Sequence, residues 1–174
     1  MVESDKSLKE LEDYCSKMVE KFPKSADAWY YKGSSNLCLG KPKEAIDCYD
    51  KALKINPELL EAQLEKGIAL LGLFKLDDAI ESLKAVIVRD EKDAAPLFFL
   101  GFAYALKKEE KNMRFFLIKA IDIDPEAVVF LYDNTMKGIL SKSEAPNEKI
   151  MEFYELIADL KKKMLKLKSK KGKK

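Results

Sequence analysis

Histidine is absent from the 174 residues. Its absence removes Ser-His and Cys-His nucleophile pairs and every imidazole metal ligand. Cysteine is scarce. Cys15, Cys38 and Cys48 are an odd number and form no Cys-x-x-Cys pair. A disulfide framework and a thiolate zinc site are therefore not expected, and the three read as small buried hydrophobes. Glycine and proline number only seven and six, too few for a low-complexity or disordered chain. No apolar run reaches the roughly 18 residues of a membrane-spanning helix. The opening stretch, Met1 to Glu12, is acidic and polar, unlike a signal peptide. A cytoplasmic location is expected. No glycine-rich phosphate loop, metal-ligand spacing or reaction-orienting constellation is present, so neither catalysis nor a metal or cofactor is expected.

What is present is a core and a charged surface. Hydrophobic residues make up 47% and charged residues 36%, enough to bury a sizeable interior and stay dissolved. The net charge of +2 hides an asymmetry. Nine lysines and no acid lie between Lys161 and Lys174, leaving 23 basic against 30 acidic residues before them. The body is thus acidic, and any attraction to polyanions belongs to the tail.

The strongest signal is a period. Gly33, Gly67 and Gly101 are equally spaced, and Pro23, Pro57 and Pro125 fall on the same grid, with Glu91 at the missing proline. Ala45 and Ala79 share a column, as do Ala52, Val86 and Ala120. Glycine inside a helix costs about 1 kcal/mol against alanine. A cost repeated once per period implies a repeated benefit: the missing side chain admits a neighbouring helix. Proline after a second helix stops it.

These residues resemble the tetratricopeptide repeat, whose pattern is Trp-x2-Leu-Gly-x2-Tyr, then Ala-x3-Phe, then Pro. Trp29, Gly33, Ala45, Tyr49 and Pro57 match it, while Lys32 and Asn36 depart from it. The second repeat keeps Gly67, Ala79 and Leu83; the third keeps Leu100, Gly101, Tyr104 and Pro125. Met113 replaces the small alanine of the third repeat, which predicts looser packing of its two helices. The resemblance implies an all-α fold, a right-handed superhelical stack of antiparallel helix-turn-helix hairpins. The expected helices are Ala26–Leu39, Lys43–Ile55, Leu60–Leu71, Asp77–Arg89, Ala94–Lys107 and Glu110–Ile123. One domain is expected over 1–168. It comprises a half-repeat helix within 1–25 (Ser7 to Phe22), full repeats at 26–59, 60–93 and 94–127, and a degenerate repeat with a capping helix at 128–168. A lysine-rich tail follows at 169–174.

The resemblance also implies a function, protein–protein interaction as a scaffold or adaptor. In this family positions two, five, nine and twelve of each repeat commonly face a concave groove. In this sequence they are Asp27, Tyr30, Ser34 and Leu37, then Glu61, Leu64, Ile68 and Leu71, then Ala95, Phe98, Phe102 and Ala105. None is a lysine, arginine or asparagine, so a clamp for acidic chaperone tails is not expected. The expected partner site is an apolar groove of Tyr30, Leu37, Leu64, Ile68, Phe98 and Phe102 for a peptide or amphipathic helix. The alternative is that some of them belong to the core or are covered by the chain itself. A final helix, Asn147 to about Leu167, carries the stripe Ile150, Phe153, Ile157, Leu160, Met164 and Leu167, suited to capping the third repeat or filling the groove. Lys168, Lys170, Lys171, Lys173 and Lys174 offer weak contact with RNA, ribosomes or an anionic surface; otherwise they only solubilise the end. The expected state is a monomer or weak homodimer.

Overall fold

The computed structural model describes the backbone of residues 2–140, 155, 157 and 158. Among them are eight helices and no strand: α1 Val2–Lys21, α2 Ala26–Cys38, α3 Pro42–Ile55, α4 Leu60–Gly72, α5 Leu76–Arg89, α6 Ala94–Leu106, α7 Glu110–Ile123 and α8 Pro125–Leu140. The fold is all-α and built of antiparallel helical hairpins. For α2 to α7 the observed ends differ from those expected from the repeat by no more than a single position. α1 starts earlier than expected, at Val2 instead of Ser7.

The period is written into the backbone of the turns. Gly40, Phe74 and Lys108 occupy one column of the repeat, and all three have left-handed φ angles of 71°, 56° and 61°. Each closes a first helix in the same way. The amides of Gly40, Phe74 and Lys108 donate to Leu37, Leu71 and Ala105, while those of Lys41, Lys75 and Glu109 reach back to Asn36, Leu70 and Tyr104 at 2.8–3.0 Å. This pair of bonds satisfies the last carbonyls of a helix and turns the chain. Helix starts are capped less uniformly. Ser25 and Asp93 accept from Ala28 and Ala95 backbone amides. Leu59, in the same column, offers no cap.

Residues 1–89 and 90–174 form two compact units. In the first unit α1 packs on α2, α2 on α3, α3 on α4 and α4 on α5, and α2 also touches α4. Its core joins Ala45, Tyr49 and Ala52 of α3 to Ala62 and Ala69 of α4, with Trp29, Tyr30 and Leu37 packed around them. An added Cβ on Gly33 would lie 2.5 Å from Tyr49 Cε1, and one on Gly67 would lie 2.9 Å from Leu83 Cγ. The glycine column thus allows each hairpin to close. Arg89 fastens the unit's end by donating to the Pro57 carbonyl at 2.7 Å and pairing with Glu58 at 3.0 Å.

In the second unit α6 pairs with α7, and α8 packs on both. At Gly101 an added Cβ would meet nothing closer than 3.4 Å. That extra room accords with Met113 replacing alanine opposite it. Phe116 stacks on Tyr104 with ring centroids 5.5 Å apart.

Two expectations about burial need correction. Cys15 and Cys48 are buried and free, and burial pushes both thiols up. Cys38 is also free but exposed, because it ends α2 just before the turn. Phe98 is fully buried and Phe102 only 8% exposed. The reason lies in α6 itself. Its 13 residues include no charged side chain, and ten are buried. A helix apolar on every side is enclosed on every side. Of the expected final helix, only Glu155, Ile157 and Ala158 are described. They are helical, and Ile157 is fully buried. The remainder of that helix, including Ile150, Phe153, Leu160, Met164 and Leu167, lies outside the described residues.

Candidate functional site

Four of the residues expected to line a groove lie on α2 and α4 of the first unit, helices that touch one another. Tyr30 and Leu37 lie two turns apart on α2, Leu64 and Ile68 one turn apart on α4, and all four are half-buried. Tyr30 and Leu37 lean on the core. Each keeps part of its surface exposed. Phe98 and Phe102 belong to the second unit and, being buried, offer no open face. Lys168, Lys170, Lys171, Lys173 and Lys174 lie outside the described residues.

The face is more polar than its columns suggested. Tyr30 and Tyr49 rings lie 6.2 Å apart, and Tyr31, 54% exposed, tilts against Tyr30 at 5.2 Å. The Tyr49 hydroxyl donates to Ser34 Oγ at 3.4 Å. Burial first, then the charge of Glu65, raises the pKa of Tyr30. Burial also pushes Tyr49 well up, with the Ser34 hydrogen bond opposing and Glu65 adding to it. Both hydroxyls therefore stay protonated and remain donors at neutral pH.

Glu65 was missed by column reading, since it lies one position beyond the groove column at Leu64. It is half-buried, and desolvation raises its pKa. Neither Glu65 nor Glu61 forms an ion pair among the described residues. The signal was available in the sequence: α4 places Glu61 and Glu65 one turn apart on either side of Leu64. The result is an aromatic and aliphatic face with negative charge beside it.

A second concavity lies on α3, α4 and α5. It encloses about 360 Å³ and is lined by Ile46, Asp50, Lys66, Asp78, Glu81 and Ser82, among others. Lys66 and Asp50 pair within it at 2.5 Å. Lys75, Asp78 and Glu81 add charges of both signs to its lining. No group of three cysteine, aspartate or glutamate side chains able to hold a metal gathers among the described residues.

Known proteins share this construction. Residues 26–59 and 94–126 each match a family model for the tetratricopeptide repeat. The TPR repeat-containing protein MJ0798 of Methanocaldococcus jannaschii is 35% identical over 108 residues, 62% of this chain and 32% of its own length. MJ0941 of the same organism is 36% identical over 59 residues, 34% of this chain and 18% of its own. The matched region thus spans a third or less of these relatives. Among solved structures, YrrB, described as a TPR protein with an unusual peptide-binding site, superposes with a TM-score of 0.67 at 27% identity, covering 76% of this chain and 68% of YrrB. MamA from Desulfovibrio magneticus RS-1 has the same fold, with a TM-score of 0.69 at 22% identity over 94% and 87% of the two chains. Repeat matches, relatives and fold agree with the period of the glycine and proline columns: the chain carries tetratricopeptide repeats.

Proposed function

We propose that this protein is a cytoplasmic interaction scaffold that holds a partner peptide or helix against the α2 and α4 face of its first unit. The observation that carries the reading is the conjunction of half-buried Tyr30, Leu64 and Ile68 with a half-buried Glu65 that forms no ion pair among the described residues. Completing the burial of an aliphatic side chain contributes at most about 1.5–3 kcal/mol, and less here because much of each is already covered. A lysine or arginine arriving beside Glu65 would offset the carboxylate's desolvation and turn a cost into an attraction. The preferred partner segment therefore alternates apolar anchors with basic side chains. YrrB, described by its peptide-binding site, provides a precedent for peptide capture on this architecture. The role needs no catalytic group and no cofactor.

Fluorescence anisotropy with two labelled helical peptides tests it. Both carry the same leucine pattern; one has lysine and the other glutamate at the polar positions. The lysine peptide should bind at least about tenfold more tightly, a margin equal to one charge-assisted contact of roughly 1.4 kcal/mol. Leu64→Glu should weaken both, and Glu65→Gln should remove the preference. Equal binding of the two peptides by the native protein would overturn the basic-partner reading. Binding of neither would overturn the site.

A further inference from the structure

The charged side chains of α2 and α4 divide by sign. The acids are Asp27, Glu61 and Glu65; the bases are Lys32 and Lys66. Both lysines are engaged with α3. Lys66 pairs with its Asp50. Lys32 shares the Trp29 ring with its Lys51, the two standing 5.9 and 4.2 Å from the ring centroid. The acids fall in register. One period separates Asp27 from Glu61 and Tyr31 from Glu65, and α2 touches α4. Equal columns of successive repeats are neighbours, so acid lies by acid and an aromatic ring by a carboxylate. The charges of Glu65 and Glu61 both reach the Tyr30 hydroxyl, and no lysine's does among the described residues. Tyr31 tilts against Tyr30, yet its ring remains 54% exposed. No cation lies over it among the described residues.

Resting on the assignment of this face to a basic partner, we propose that the group it selects is arginine, with the guanidinium stacked on the Tyr31 ring and forked to the Glu65 carboxylate. Charge alone would accept lysine equally. The ring beside the carboxylate separates the two cations. A guanidinium is planar and weakly hydrated, so it can lie flat on an aromatic face while its N–H fork donates two bonds to one carboxylate. An ammonium is a strongly hydrated point charge and gives up more water on arriving beside half-buried Glu65. Glu61, one turn before Glu65, and Asp27, in the Glu61 column, add negative charge around the site and disfavour an acidic segment. The partner is thus a peptide or helix that presents arginine beside apolar anchors for Leu64 and Ile68.

Anisotropy with three labelled helical peptides and the full chain tests this. The peptides share one leucine pattern and carry arginine, lysine or glutamate at the polar positions. The arginine peptide should bind about three- to tenfold more tightly than the lysine peptide, the scale of a ring contact plus a second hydrogen bond. Tyr31→Leu should bring the arginine peptide down to the lysine level and change the lysine peptide by less than about twofold. Tyr31→Phe retains the ring and should retain the preference. Tyr31 is exposed, and circular dichroism should record unchanged helix content in both variants. Equal binding of the arginine and lysine peptides, both tighter than the glutamate peptide, would overturn the arginine proposal and leave the basic-partner reading standing. An arginine preference that survives Tyr31→Leu would also overturn it. Binding of neither basic peptide would overturn both.

Discussion

A methyl group placed on Gly67 would sit 2.9 Å from Leu83 Cγ, whereas on Gly101 it would find 3.4 Å to its nearest neighbour. One sequence column therefore predicts two outcomes. Gly67→Ala should destabilise by about 1 kcal/mol, since overpacking of roughly 1–3 kcal/mol outweighs a helix-propensity gain near 1 kcal/mol. Gly101→Ala should be neutral or stabilising by up to about 1 kcal/mol, because only the propensity gain remains. Urea titrations of the two variants would show the opposite signs. The column itself was legible, since glycine recurring once per period inside helices has no local justification. The difference between its members depends on Met113 and Leu83 across the hairpin. Glu65 shows a second residue-scale effect. Its raised pKa means that the native state holds the proton more tightly than the unfolded chain. Between the ordinary carboxylate range and that raised value, stability falls as pH rises. Glu65→Gln should stabilise the protein at neutral pH, and the gain should shrink as pH drops into the ordinary carboxylate range. Thermal melts across that range check it. The same variant is expected to lose preference for a basic peptide, so stability and binding should move in opposite directions.

The elements follow from punctuation more than from composition. α3 to α5 begin and end where Gly40, Pro42, Pro57 and the columns they define place them, and tertiary packing does the rest. The turn column is instructive because only one of its three members is glycine. Phe74 adopts φ 56° with its ring 69% exposed, so it bears the left-handed penalty without a buried ring to compensate. Phe74→Gly should stabilise by about 1 kcal/mol, the low end of the cost of left-handed geometry for an L-residue. A lower melting temperature in that variant would contradict the turn assignment. Caps were less legible. Asp93 holds Ala95 N at 2.8 Å, and Asp93→Ala should cost about 1 kcal/mol, read as a shift in denaturation midpoint. At α6 the burial of Phe98 and Phe102 follows the alternative that groove-column residues belong to the core or are covered by the chain. Registry put Phe98 and Phe102 in groove columns, and the columns are correct for a regular repeat. The uncharged sequence from Ala94 to Leu106 was the stronger signal, because a helix that keeps one face toward water needs polar residues to dress it.

At the scale of the molecule, the repeat was enough to read the fold class and the kind of repeat, while the candidate site depends on burial that no column states. Tyr30, Leu37, Leu64 and Ile68 retain the half-open exposure a recognition face needs; the charge beside them came from Glu61 and Glu65, outside the apolar pattern that drew attention. The central proposal is that the α2 and α4 face takes an apolar, basic segment of another protein. The most direct measurement is a two-dimensional NMR titration of the isotope-labelled chain with the lysine-bearing helical peptide. Shifts should concentrate at Tyr30, Ser34, Leu64, Glu65 and Ile68 and saturate with one peptide per chain, while the cleft around Asp50 and Asp78 stays unchanged. Shifts confined to that cleft or to α1, with the α2 and α4 face silent, would contradict it.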